Sequence, residues 1–200
     1  MTEQLHAKVL ALAGSPRRGG NTDMLLEAFL EGARAAGSQT DILYISSLKI
    51  APCDACDGCA ADGKCILIDD FQLVSEQMAE SDVIVLAAPL YFAALPAQVK
   101  CLIDRSQCQW VRKYKLHAEL PPSCNGCSRR RGILLSAAGD ARANFDGMRR
   151  TVRYFFNVFE TDYVDELLVS GIDGHGQINK KTLKIALTLG RKSVGITDVR

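Results

Sequence analysis

Two hundred residues, 48% of them hydrophobic and 24% charged, suit one globular domain over residues 1–200 with a sizeable core. A formal net charge of +1 argues against nucleic acid as a partner, and the short Arg129–Arg131 run reads as a solvated loop. A polar start and apolar runs far below the about 20 residues of a membrane helix argue against a secretory signal or membrane span and place the chain in the cytoplasm.

In chain order, short apolar runs alternate with longer amphipathic segments. Val9–Ala13 is a predicted strand, followed by a Gly-rich loop and a helix that stops near Gly37. That helix turns Leu25, Ala28, Phe29 and Ala36 to one face and Glu27, Glu31 and Arg34 away, with Asn21 or Thr22 capping its start. Ile42–Ile45 is a flanking strand, and residues 51–69 form a cysteine-rich insertion behind it. A second helix covers Asp70–Glu80, capped by Asp69 or Asp70, and Val83–Ala88 is the third strand. A third helix opens at Pro96, a favoured first-turn residue, and runs toward Trp110. Residues 117–131 break the pattern again and hold Cys124 and Cys127. Strand Ile133–Ala137, helix Asn144–Glu160, strand Tyr163–Val169 and helix Lys180–Arg191 complete the chain. Asp165 and Glu166 inside the last strand place it at an edge. Nearly continuous apolar runs suit parallel strands covered on both faces, and the alternation implies right-handed crossovers. The predicted fold is α/β, a doubly wound five-stranded parallel sheet of flavodoxin-like order 2-1-3-4-5.

The first strand runs straight into Gly14-Ser15-Pro16-Arg17-Arg18-Gly19-Gly20-Asn21-Thr22 and then a helix. Glycines let backbone N–H groups converge on an anion, and the helix N-terminus adds partial positive charge. Ser15, Asn21 and Thr22 supply further donors, and Arg17 can neutralise a phosphate. The loop lacks the Lys-Ser/Thr of nucleotide triphosphatases and the Gly-x-Gly-x-x-Gly of dinucleotide folds. That leaves a terminal phosphate monoester such as that of FMN, with a ligand-free tight turn as the alternative.

Gly-Ser-Pro-Arg-x-x-Gly-Asn-Thr after the first strand resembles the NADPH-dependent FMN reductase branch of the flavodoxin-like superfamily. Pro89-Leu90-Tyr91-Phe92 is similar to the loop that lines the flavin ring in that family. Leu95–Lys100 through Ile103-Asp104-Arg105 is similar to its next helix, and Ser136–Gly139 takes the place of its third flavin loop. On that resemblance Tyr91 and Phe92 wall the isoalloxazine and Gly139 allows its close approach to the backbone, with ordinary packing as the other role for the two aromatics.

Cys53-x2-Cys56-x2-Cys59-x5-Cys65 is the sharpest pattern in the chain. Clustered cysteines in a reducing compartment read as metal ligands, and Cys-x2-Cys-x2-Cys runs hold iron–sulfur cubanes. No Cys-Pro follows at the ferredoxin spacing and no second run exists, so all four would serve one 4Fe–4S cluster. Zinc, which usually takes two separated knuckles, and a metal-free loop remain open. The spacing, with Ala51-Pro52 at its entrance and Ile66–Asp70 at its exit, resembles iron–sulfur flavoproteins. Cys101 and Cys108 share a predicted helix face as buried thiols, and the Cys124–Cys127 pair is left unassigned. His6, His117 and His175 stand isolated.

The resemblance implies electron transfer from a ferredoxin-like donor or NAD(P)H to a small acceptor such as a quinone, oxygen or peroxide. It also implies a homodimer or homotetramer. The cofactors carry the chemistry, so no catalytic acid or base is named. A cluster-free NAD(P)H-dependent FMN or quinone reductase is the alternative, and a zinc-stabilised non-enzymatic binding module a more distant one.

Overall fold

The computed structural model describes residues 6–174 and 176–195. Strands β1 (Lys8–Ala13), β2 (Gln39–Tyr44), β3 (Val83–Ala87), β4 (Arg130–Ala137) and β5 (Thr161–Val169) form one sheet of order β2-β1-β3-β4-β5. Every pairing is parallel. Among the described residues six α-helices accompany them: α1 (Asn21–Ala35), α2 (Phe71–Glu80), α3 (Ala97–Arg105), α4 (Gln107–Tyr114), α5 (Asp146–Val158) and α6 (Lys180–Ser193). The flavodoxin-like fold expected from the pattern is therefore present.

The two faces of the sheet divide the apolar runs by residue parity, as a pleat requires. Leu10, Leu12, Ile84, Leu86 and Leu134 pack toward α2, α3 and α5. Val9, Ala11, Val85, Ile133 and Leu135 pack toward α1 and α6. Central strands β1 and β3 are apolar on both faces because neither face meets water. Edge strand β5 tolerates Asp165 and Glu166 because Lys192 and Arg149 reach them at 3.3 and 2.7 Å.

Helix α1, which carries the Gly-rich loop at its start, is held against α6 by glycine contacts. A Cβ on Gly32 would lie 1.9 Å from the Leu187 carbonyl oxygen, and one on Gly190 would lie 1.9 Å from that of Phe29. The backbones touch, so neither position has room for a side chain.

Some expectations need correction. The third helix is two: Ser106 donates its hydroxyl to the Leu102 carbonyl at 3.0 Å and its N–H to Ile103, and the chain restarts as α4. Cys101 and Cys108 consequently lie on different helices. Neither Asn21 nor Thr22 caps α1; Gly20 takes the cap position without a side-chain bond. At α2, Asp70 holds the cap position, but its carboxylate accepts from Lys49 N–H at 2.7 Å while Asp69 accepts from Phe71 N–H at 2.9 Å. Strand β4 begins three residues earlier than its apolar run, so the Arg129–Arg131 run is not a solvated loop: Arg130 is buried in the strand, donating to the Met78, Ala79 and Pro121 carbonyls. Two of these are carbonyls that the end of α2 leaves without intrahelical partners. Among the described residues no helix is long and apolar enough to cross a membrane.

Candidate functional site

The loops at the carboxyl ends of β1, β3, β4 and β5 enclose a cleft of about 370 Å³. That is within the range of about 300–1,000 Å³ for small-molecule sites, at the edge of a doubly wound sheet where ligands bind. One end is built from residues 15–22. The first backbone bond inside α1 runs from Met24 N–H to the Gly20 carbonyl at 2.9 Å, so the preceding amides have no intrahelical acceptor. Gly19 takes φ +68°, the left-handed conformation that turns the loop. Its N–H is held at 2.9 Å by Asp23, whose buried carboxyl is pushed up by desolvation.

The two loop arginines differ. Arg18 lies over the Tyr44 ring, 3.1 Å from its centroid, and donates to Ser47 at 2.9 Å. Arg17 is exposed, lines the cleft and has no side-chain hydrogen bond or ion pair among the described residues. Buried Thr22 also lines the cleft. The other two polar side chains are already engaged. Ser15 Oγ accepts from Arg17 N–H at 3.2 Å and donates to the Arg17 carbonyl at 3.0 Å, closing the loop on itself. Asn21 accepts from Ile178 N–H at 2.9 Å and donates to the Gly176 carbonyl at 3.3 Å. Its amide fastens the loop after β5, so its contribution to an anion is its backbone N–H rather than its side chain.

Pro89, Leu90 and Tyr91 line the far wall. Phe92 does not. Tyr91 and Ala94 pair across a tight turn with Phe92 and Ala93 at φ +50° and +60°, and this throws the Phe92 ring fully into solvent. Gly139 lines the cleft, but the space beside its Cα is filled by the Asp173 carboxylate, 2.1 Å from where a Cβ would sit. The loop after β5 is the part that motif matching missed: Ile172, Asp173, Gly176 and Gln177 all line the cleft. Its only signal was position, since it follows a strand adjacent to β4 at the same edge of the sheet. The cleft is thus lined by a cation, Arg17, by amides without intrahelical acceptors and by the Asp173 carboxylate. Its size, unpaired amides, cation and apolar wall fit FMN.

The cysteine insertion drapes over the α2–α3–α4 face. Cys53 and Cys56 are exposed, and Cys59 and Cys65 pack against the core. Burial raises the Cys59 thiol, and the charges of Cys65, Cys53 and Cys56 add to the rise. Ala55 and Asp57, flanking Cys56, adopt φ +56° and +57°. These left-handed residues bend the loop around Cys56, whose N–H is taken by Asp54 Oδ1 at 3.3 Å. Gly58 folds against Ile66 and Gly63 against Arg112, where a Cβ would come within 2.7 and 2.8 Å. The four-thiol donor set fits an anionic cluster. Even so, among the described residues no three Cys, His, Asp or Glu side chains are drawn together tightly enough to hold a metal ion.

Buried Cys108 lies beneath this loop, its thiol pushed up to about 11 by desolvation and by Cys65 and Cys59. Cys124 and Cys127 are exposed on a turn at the opposite end of the sheet, away from the cleft. That turn is organised by Asp82, which accepts from Ser123 and Asn125. His6 and His117 are exposed, and His175 lies outside the described residues.

Fold and cleft together define a flavodoxin-like protein with a Gly-rich loop at the head of its first helix. Residues 7–152 match the family described as NADPH-dependent FMN reductase. A Methanosarcina thermophila protein named iron-sulfur flavoprotein is 41% identical over 168 residues, 84% of this chain and 79% of that protein. One of the same name from Methanocaldococcus jannaschii is 38% identical over 100 residues, 50% of this chain and 52% of its own length. Among solved structures, an azoreductase from Bacillus anthracis superposes with a TM-score of 0.67 at 18% identity, covering 93% of this chain and 97% of that one. At that identity the likeness bears on fold alone. The chain belongs to the NADPH-dependent FMN reductase family and is an FMN-dependent oxidoreductase.

Proposed function

We propose that this chain acts as one flavodoxin-like domain in the cytoplasm, holding FMN in the cleft and a 4Fe–4S cluster on Cys53, Cys56, Cys59 and Cys65. When bound, FMN exchanges one or two electrons and the cluster one, which lets a one-electron donor serve a two-electron acceptor. The donor class is ferredoxin-like protein or NAD(P)H, and the acceptor is a quinone, oxygen or peroxide. Assembly is as a homodimer or homotetramer, by analogy with the resembling family.

The chain's own residues bind and orient. The amides at the start of α1, with Arg17 and Thr22, receive the phosphate. Pro89, Leu90 and Tyr91 provide the ring's apolar wall, and Gly139 borders it. Ser15 and Asn21 support this from outside, one closing the loop and the other pinning residues 176–178 beside it.

The cluster reading is carried by four cysteines at Cys-x2-Cys-x2-Cys-x5-Cys spacing on one loop, bent around Cys56 by left-handed Ala55 and Asp57. Relatives named for iron and sulfur support it. The cluster-free FMN or quinone reductase is the rival, favoured by the absence of a tight ligand group among the described residues. A zinc-stabilised non-enzymatic module does not fit membership of an oxidoreductase family. Cys56→Ser, purified anoxically, separates the first two: iron and sulfide fall while FMN is retained. FMN-replete wild type whose metal content Cys56→Ser leaves unchanged would refute the cluster.

A further inference from the structure

Arg105, the last residue of α3, has a side chain with no solvent exposure at all. A lone buried guanidinium is costly, so its partners state its purpose. Nη1 donates to the Ala51 carbonyl at 3.0 Å and to Asp69 Oδ2 at 2.6 Å; Nη2 donates to the Leu67 carbonyl at 3.0 Å. Ala51 is the entrance of the cysteine insertion, and Leu67 and Asp69 are its exit. One side chain therefore ties both ends of the loop together.

One fact is unexplained by the tie: Arg105 Nε carries a buried N–H with no partner. The segment between the two clasped ends carries all four cysteines, so the guanidinium is a buried positive charge at the mouth of the loop that would hold the cluster. N–H groups directed at sulfur, and local charge, are the levers by which proteins set iron–sulfur potentials.

We infer that Arg105 is the positioning residue of the four-cysteine loop, closing it through Ala51, Leu67 and Asp69, and that its buried positive charge favours the reduced cluster. This rests on the cluster proposed above. Reduction adds one electron and one negative charge to an assembly that is already anionic. The Arg105 cation offsets that charge, and Asp69 in part cancels the cation. The two members of one ion pair should then shift the potential in opposite directions.

The test is an anaerobic redox titration of the holoprotein followed by electron paramagnetic resonance, on wild type and three variants. Arg105→Gln lowers the reduced-to-oxidised ratio at a fixed poise by about tenfold, which is about 59 mV for one electron. Asp69→Asn raises that ratio. Arg105→Lys, which keeps the charge but not the fork, titrates nearest wild type while limited proteolysis finds residues 51–69 more readily cut. A purely structural role moves both members of the pair the same way or not at all, and either result overturns the inference. Loss of iron from Arg105→Gln supports the tie, and the sign of Asp69→Asn then decides the charge effect. Wild type without iron and sulfide refutes the cluster itself, and the inference with it. Wild type with a full cluster and unshifted variants refutes the inference alone.

Discussion

Replacing Arg17 tests the phosphate loop against its own neighbour. Arg17 has no side-chain partner among the described residues and faces the cleft, whereas Arg18 is held by Tyr44 and Ser47. A hydrogen bond to a charged group contributes about 1.5–3 kcal/mol. Arg17 is exposed, so solvent screening places it at the low end, near about 1.5 kcal/mol or roughly tenfold in Kd. Arg17→Ala should weaken FMN binding by that factor, and the difference should shrink at about 0.5 M salt as screening tightens. Arg18→Ala should leave Kd for FMN within about twofold and lower stability by about 0.5–1 kcal/mol through the lost ring contact. The assay is fluorescence quenching of FMN titrated with apoprotein, repeated with riboflavin, which has the ring but no phosphate. Equal weakening of FMN and riboflavin by Arg17→Ala, or no weakening, would refute the assignment of Arg17 to the phosphate.

Gly190→Ala gains about 1 kcal/mol of helix propensity but forces a Cβ to within 1.9 Å of the Phe29 carbonyl oxygen. Overpacking against backbone costs about 1–3 kcal/mol, so the melting temperature should fall by several degrees, while Gly174→Ala, with open space around it, stays near wild type. An unchanged Gly190→Ala melt would show that the helices separate freely. Burial pushes the Glu160 carboxyl up, but hydrogen bonds and charge from Lys113 and Arg112 outweigh it and hold the group below its ordinary 4.5. With the folded value depressed, the stabilisation is fully present above about pH 4.5 and lost as pH falls through the folded value. Glu160→Gln should therefore melt below wild type near neutral pH and converge with it in acid; a gap that persists in acid would contradict the linkage.

Much of this was legible because it depends on local pattern. Val9–Ala13, Val83–Ala88 and Ile133–Ala137 could be assigned to the sheet since only a strand covered on both faces tolerates such continuous apolarity. The phosphate loop and the Cys53–Cys65 spacing were visible for a similar reason: each is one contiguous stretch whose chemistry needs its own neighbours. What was hidden depends on contacts between distant residues. Asn21 looks like an anion donor until the loop after β5 arrives beside it and takes both ends of its amide. Phe92 looks like a flavin wall until two left-handed residues turn it outward. Asp173 carries no motif and enters the cleft through sheet order alone. Arg105 sits in a segment that resembles a family helix, but its clasp on Ala51 and Leu67 reaches back 54 and 38 residues along the chain. The break at Ser106 turned on a single hydroxyl competing for a carbonyl, which helical periodicity does not register.

Elemental and cofactor analysis of anoxically purified protein addresses the pairing of flavin and cluster most directly. Iron, acid-labile sulfide, zinc and FMN are measured per chain on one sample. The expected result is about four iron, about four sulfide and about one FMN, without zinc. A yellow protein with one FMN and neither iron nor sulfide, unchanged after anaerobic reconstitution, would contradict it.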